Sequence, residues 1–327
     1  MRENQAIMRI LLTGKDGQLG WELHRRLERT HHVIAIGRED IDLRDGRYLH
    51  DMIKRLPPLA LIVNCAAYTD VDKAEHEPLT AEQVNVEAPA VLAAEADRRS
   101  IPIIHFSTDY VFEGQREGVA SQLELPLHCH KPDRDARWNP SVNHVEPYTE
   151  DDPPNPLNVY GRSKLAGEQR VRDLCDRHLI FRVSGLYGTR RRNFLTTMLR
   201  YLAQGEVPRV VDDQSILPNW CPMIAEAVEH VISRIGNVRP SEWGVYHLTG
   251  TGSTTWYEFA CLFFEKMATL WNKPLIIPQA VSSEEFGAEA KRPAWSVMNP
   301  NKFTRTFNYK LHDWQTQFLQ CVNSIQH

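Results

Sequence analysis

A phenol and an amine stand four residues apart in Tyr160-Gly-Arg-Ser-Lys164. That spacing places both side chains on one face of a helix, which the run Leu165-Ala-Gly-Glu-Gln-Arg-Val171 prolongs. A tyrosine titrates near pKa ~10 and becomes a useful proton donor near neutrality beside a fixed positive charge that stabilises its phenolate. Lys164 is placed to be that charge. The same spacing occurs by chance in many surface helices, so its meaning depends on its surroundings. Upstream, the predicted strand Pro102-Ile-Ile-His-Phe106 ends in Ser107-Thr108-Asp109-Tyr110-Val111-Phe112. A hydroxyl at that carboxyl end can hold a substrate carbonyl, and Thr108 is the candidate. The plainer reading of Thr108 is a β-branched residue packing within its strand.

The elements that would position these groups begin near the N-terminus. Met8-Arg-Ile-Leu-Leu-Thr13 reads as a buried strand, Gly14-Lys-Asp-Gly17-Gln-Leu-Gly20 as a glycine turn, and Trp21-Glu-Leu-His-Arg-Arg-Leu27 as a helix. Strand, glycine turn and helix together suit a dinucleotide: the turn lets backbone approach a pyrophosphate, and the helix N-terminus offers free N–H groups. A second strand, His32-Val-Ile-Ala-Ile36, runs to Gly37-Arg38. An acidic residue there would hold the ribose 2′-hydroxyl of NAD, whereas an arginine suits the 2′-phosphate of NADP. Arg38 therefore favours NADPH, with NADH as second choice, although a loop arginine is more often simply solvated. Asp42 and Leu43 follow as candidate partners of the adenine. The third strand, Ala60-Leu-Ile-Val-Asn-Cys65, opens into Ala66-Ala67-Tyr68, where small residues leave room for a flat cofactor. A long helix is expected from Asn85, with Pro89 near its start, where proline is tolerated.

Composition sets the frame. The 327 residues suffice for two domains or one large α/β unit, and 42% apolar with 24% charged residues is ordinary for a globular protein. Thirty-eight basic against 42 acidic residues leave a net charge of −4, so no nucleic-acid surface is expected. The six cysteines form no CxxC pair, which suits reduced thiols in a cytoplasmic enzyme. Nothing resembles a signal peptide, since the apolar run Ile10-Leu-Leu12 stops at Thr13-Gly14. No stretch approaches the ~18 apolar residues of a membrane span, so no membrane partner is expected.

Past Arg182-Val-Ser-Gly185-Leu-Tyr-Gly188 the chain supplies a smaller part. Segments 193–202 and 222–232 read as amphipathic helices, and Gly244-Val-Tyr-His-Leu248 as a strand. Thr255-Trp-Tyr-Glu258 is a candidate capping box opening a helix that runs to Met267. Trp256 could stack on a nucleobase, but an aromatic at a helix start is more often core.

The glycine turn, Ala66-Ala-Tyr-Thr-Asp-Val-Asp-Lys-Ala-Glu75, Ser107-Thr-Asp-Tyr-Val-Phe112, Pro156-Leu-Asn-Val-Tyr-Gly-Arg-Ser-Lys-Leu-Ala-Gly-Glu168 and Arg292-Pro293 together resemble the dTDP-4-dehydrorhamnose reductase family. This family belongs to the extended short-chain dehydrogenases, to which the GxxGxxG spacing also points, and the resemblance runs from Met8 to the final helix. It implies an α/β fold: a Rossmann-like doubly wound parallel sheet over residues 1–188, with parts of 220–250, and a smaller α/β substrate domain over 189–327. It implies reduction of a nucleotide-linked 4-keto-6-deoxysugar by NADPH, the last step in making dTDP-L-rhamnose. Thr108, Tyr160 and Lys164 become the catalytic set. Gly14, Gly17, Gln18, Leu19, Ala66, Ala67 and Tyr68 join Tyr160 and Lys164 as cofactor contacts. Ser107, Asp109, Tyr110, Asn158, Gly185 and Arg292 become substrate contacts, with Arg292 facing the diphosphate. The expected partners are the nucleotide sugar and, as an option, a second copy of the chain in a homodimer.

Three departures from the family gather near the expected sugar. A stretch of about 115–147 looks inserted, as a loop or lid at the substrate mouth. Within it His128-Cys129-His130, with His144, invites a metal reading, but the paired spacing of a structural zinc site is missing and no metal is expected. Gly185 stands where the family commonly has a tryptophan, and Asp212-Asp-Gln-Ser-Ile-Leu-Pro-Asn219 also departs from its pattern. These differences leave open another nucleotide-sugar ketoreductase or epimerase of the same fold. A non-catalytic NADP-binding regulatory subunit is the further alternative, and the intact Thr108, Tyr160 and Lys164 argue against it.

Overall fold

In the computed structural model, residues 7–115 and 145–325 are described, so the inserted stretch, with His128, Cys129, His130 and His144, lies outside the described residues except at its edges. The first half of the chain alternates strand and helix: β1 (Arg9–Thr13), α1 (Gln18–Leu27), β2 (His32–Ile36), α2 (Gly46–Arg55), β3 (Leu61–Asn64), α3 (Val71–His76), α4 (Pro78–Glu82), α5 (Ala88–Arg98), β4 (Ile103–Thr108), α6 (Val159–Leu174) and β5 (His178–Val183). There follow β6 (Leu186–Tyr187), α7 (Phe194–Gln204), β7 (Arg209–Val211), β8 (Ser215–Ile216), β9 (Asn219–Trp220), α8 (Cys221–Ser233) and β10 (Gly244–His247). The chain ends with β11 (Thr254–Thr255), α9 (Trp256–Trp271), β12 (Gln279–Val281), α10 (Ser283–Phe286), α11 (Asn301–Phe307) and α12 (Trp314–Ile325).

Six strands pair in parallel in the order β2-β1-β3-β4-β5-β10, the doubly wound sheet that the alternation predicts. Both faces are covered, which is why the strands read as unbroken apolar runs. Ile10 and Leu12 face α1 and α8 in one core with Leu23, Ile224, Val228 and Phe303. Leu11, one residue out of phase, joins Ile53, Leu92 and Val171 of α2, α5 and α6 on the other face. A third core gathers Leu195, Phe259, Phe263 and Phe318 from α7, α9 and α12, and Trp256 packs against it, as its place at a helix start suggested.

The strand order reverses between β1 and β3. A doubly wound sheet opens a crevice at such a switch point, outside the carboxyl ends of its strands. One departure from expectation lies beside it. The helix expected from Asn85 is broken into α4, a π-helical turn over Gln83–Glu87, and α5. In that turn Ala88 N bonds Gln83 O, five residues back, and the next residue, Pro89, has no N–H to give Asn85 O.

Candidate active site

The glycine turn sits at the switch point. Gly14 has φ +77, and a Cβ there would stand 2.7 Å from Ala66 N, so the turn lies directly on the segment leaving β3. Gly20 is as closely fitted, since a Cβ would come within 2.1 Å of Gly14 O. Gly17 caps α1 without a side chain, and the helix has no acidic residue in its first turn. The result is a helix N-terminus whose amides are open to an anion. Gln18 Oε1 is buried there with no hydrogen-bond partner among the described residues, a polar atom awaiting a donor. Ala66 N is held by Asn64 Oδ1 (3.1 Å), and the Tyr68 backbone is held by Asn85, which accepts from Tyr68 N (2.8 Å) and donates to Tyr68 O (3.0 Å).

The two expected adenine contacts also have partners within the protein. Asp42 is forked by the Arg44 guanidinium at 2.6 to 3.0 Å, which holds its carboxyl below the ordinary range, and Leu43 packs against the core under α2 and α5. Arg38 is exposed just past β2, close enough to Tyr68 to act on its phenol, which burial pushes up to about 12.

Thr108, Tyr160 and Lys164 meet at the carboxyl end of β4. The helix carrying the latter two is brought in tightly, because a Cβ on Gly161 would fall 2.3 Å from Tyr110 O. Tyr110 presents its ring edge to Tyr160 at 5.9 Å between centroids. Thr108 Oγ1 accepts from Tyr110 N (3.2 Å) and donates to Asp109 Oδ1 (3.1 Å). Burial pushes the Tyr160 phenol up to about 12, while Thr108 pulls it down and Asp109 adds to the rise. Lys164, 1% exposed, donates from Nζ to Phe106 O at 2.6 Å. With the ammonium committed to that carbonyl, the groups acting on the phenol are Thr108 and Asp109, and the lowering expected from Lys164 is not seen.

Several expected substrate contacts also hold parts of the protein together. Asp109 is buried behind Thr108, where Ser184 Oγ donates to its second oxygen at 2.7 Å, and burial raises its carboxyl. Asn158 caps α6 by accepting from Gly161 N (2.7 Å) and uses its amide N–H to hold Lys291 O (2.8 Å). Arg292 forks Asp72 at 3.1 and 2.8 Å and donates to Ala290 O (3.0 Å), so the guanidinium expected on a diphosphate ties the 290s to the start of α3. Gly185, at φ +50, backs onto the chain before β9, where a Cβ would lie 3.0 Å from Leu217 O. Ser107 Oγ is buried without a hydrogen-bond partner among the described residues.

Other polar residues that link these elements had no site role in the sequence reading. Asn85 also donates to Ser163 Oγ (2.9 Å), linking the cofactor side to α6. Thr13 Oγ1 donates to Asn64 Oδ1 (2.6 Å) under the turn, and Glu168 of α6 pairs with Arg182 of β5. For Thr13, Asn64 and Arg182 the one signal is a polar residue at or near the end of an otherwise apolar strand. Among the described residues no three His, Cys, Asp or Glu side chains converge as a metal site, and no helix is long and apolar enough to cross a membrane.

Comparison with known proteins agrees with this geometry. The model of the family described as RmlD substrate binding domain matches residues 8–327. A dTDP-4-dehydrorhamnose reductase of Escherichia coli (strain K12) is 35% identical over 324 residues, covering 97% of this chain and 98% of its own. A probable dTDP-4,6-dihydroxy-2-methyloxan-3-one 4-ketoreductase of Streptomyces antibioticus is 33% identical, over 97% of this chain and 96% of its own. Among solved structures, a dTDP-4-dehydrorhamnose reductase of Bacillus anthracis in complex with NADP superposes with a TM-score of 0.80 at 29% identity, covering 98% of this chain and all of that one.

Proposed function

The chain belongs to the RmlD substrate binding domain family, and from that premise we propose that it reduces the C4 ketone of a dTDP-linked 4-keto-6-deoxysugar with NADPH, dTDP-4-dehydrorhamnose being the preferred substrate. The observation that carries the reading is the meeting of Thr108, Tyr160 and Lys164 beside the switch point of the sheet. The glycine cradle and the unpartnered Gln18 Oε1 fit a dinucleotide, with Gly14, Gly17, Gln18 and Leu19 around its diphosphate and Ala66 to Tyr68 beside it. When bound, NADPH supplies the two-electron reductant for the carbonyl carbon.

The protein's own part is to hold and move a proton. Thr108 Oγ1, oriented by Tyr110 N and Asp109, fixes the carbonyl oxygen. Tyr160, kept protonated by burial, donates its phenolic proton as charge develops on that oxygen. Lys164 stands one helical turn from the phenol with its ammonium on Phe106 O, and on leaving that carbonyl it would supply the positive charge that steadies the phenolate. The ring of Tyr110 keeps water from one side of the phenol.

The test is incubation of the purified chain with NADPH and dTDP-4-dehydrorhamnose, alongside other 4-keto-6-deoxy sugar nucleotides, following NADPH absorbance and identifying products. NADPH consumption with a 4-hydroxy product is expected. Epimer formation without net NADPH loss, or NADPH binding with no turnover on any ketone, would overturn the reading. A second reading, reduction of a different dTDP-linked ketone, is favoured by Gly185 and by the similarity to the Streptomyces ketoreductase. The ranking of kcat/KM across the same panel separates the two.

A further inference from the structure

Lys164 is enclosed by protein, and the groups that face it come from several elements. Phe106 O on β4 accepts a hydrogen bond from its Nζ at 2.6 Å. His105 of the same strand is held neutral, well below its ordinary range, by burial and by Lys164 itself. The thiol of Cys65, at the end of β3, is pushed up by burial and stays protonated. Tyr160 stands one turn before Lys164 on α6 and Glu168 one turn after it, and Glu168 is the carboxyl that acts on the Lys164 ammonium against the pull of burial. Glu168 is 1% exposed, and its two oxygens accept from Arg182 Nε and Nη2 at 2.9 and 2.8 Å. Arg182 is buried on β5 with its guanidinium over the Phe112 ring at 5.2 Å, and Glu150, His247 and Lys302 are the titratable groups beyond it.

We infer that Glu168, fixed by Arg182, is a positioning residue whose carboxylate is the counter-ion that keeps Lys164 an ammonium inside the protein. A buried amine without a counter-ion sheds its proton, and a buried carboxylate without a partner takes one up. Arg182 prevents the second outcome because a guanidinium does not deprotonate. Burial draws Lys164 down to about 8, while Glu168 works against that pull, so the lysine is poised where loss of the counter-ion changes its charge at neutral pH. The inference rests on the proposed function only in giving that charge a role in turnover.

The experiment reads Lys164 directly. The full chain, labelled with 13C at lysine Cε, is titrated by NMR without substrate, the Lys164 signal being assigned by its loss in Lys164→Arg. The kcat/KM profile is followed in parallel. Glu168→Gln/Arg182→Met removes the pair without leaving an unpaired buried carboxylate or guanidinium, so that the charge left without its counter-ion is that of Lys164. Its Lys164 midpoint should fall by about 1 pH unit or more, and the alkaline limb of kcat/KM should fall with it, while activity at about pH 6 stays within roughly twofold. Glu168→Asp retracts the carboxylate by one methylene and should move both in the same direction by less. A folded double variant with an unmoved midpoint overturns the inference. If the double variant does not fold, a Glu168→Asp midpoint coinciding with that of the parent chain overturns it. A shifted midpoint in a chain that reduces no keto sugar supports the counter-ion and removes the proposed reaction instead.

Discussion

The two sides of the crevice are built on different terms. At the glycine turn the protein offers backbone: open amides at the start of α1, small residues after β3, and side chains such as Asn64 and Asn85 that serve only to hold that backbone in place. Across from Tyr160 it offers side chains, and most of these are already engaged with one another. Arg292 holds Asp72, Asp109 links Thr108 to Ser184, and Asn158 joins the start of α6 to Lys291. A backbone amide at a helix terminus has no other partner to choose, so a motif predicts its use well. A charged side chain chooses among whatever partners the fold brings near, and partners distant in sequence leave no mark on a local motif.

The largest effect expected is at the proposed proton donor. Tyr160→Phe removes the proton donor and leaves its ring, so kcat should fall by ~10²–10⁴-fold, while NADPH affinity, measured by fluorescence titration, stays within about twofold. Retained turnover would show that the proton comes from elsewhere and that the phenol is part of the wall.

A smaller effect separates brace from ligand at Arg292. If the guanidinium works through Asp72, Asp72→Asn and Arg292→Ala should raise KM for the sugar nucleotide by the same factor, about tenfold if the wall shifts by roughly an ångström. Each should cost at most about 1 kcal/mol in denaturant unfolding, since the pair is partly exposed and screened. A KM loss confined to Arg292→Ala would return the guanidinium to the diphosphate. The pH dependence follows from Asp72, whose carboxyl is held below its ordinary range first by the hydrogen bond from Arg292. Its contribution is therefore present above the unfolded-state value and lost as pH falls through the lower folded value, a loss that Asp72→Asn should abolish in acid unfolding curves.

The sheet, the turn and the Thr108, Tyr160 and Lys164 set were legible because each is a local pattern: apolar runs of strand length, a glycine spacing, a helical i, i+4 pair. What was not legible depended on contacts across tens to hundreds of residues. Asp72 and Arg292 are brought together by the return of the 290s to α3, and nothing in either local sequence announces the other. Asp109 follows Thr108 directly and was grouped with the expected substrate contacts; the chain turns there into a short 3-10 helix and takes the carboxylate to Ser184. The widened turn before α5 was signalled by Pro89, but proline alone does not tell whether a helix starts there or is interrupted.

The smallest effect expected lies at the end of β2, and it tests the cofactor side. Lys15 is paired with Asp40 at 2.5 Å, Asp40 also caps Gly37 N, and the Asp16 carboxylate lies against Gly37. Two carboxylates thus share this end of the strand with Lys15 and Arg38. A 2′-phosphate arriving there would meet both signs of charge, and discrimination against NADH should be modest. Arg38 is exposed, so its pull on a phosphate is screened by water and salt. Arg38→Asp should weaken NADPH binding by about tenfold, or ~1.4 kcal/mol, leave NADH within about twofold, and lose most of this difference when ionic strength is raised. If both dinucleotides weaken equally, Arg38 shapes the loop and does not read the phosphate. In that case the cofactor side, too, contains a side chain whose partner is the protein, and the contrast between the two sides narrows to backbone alone.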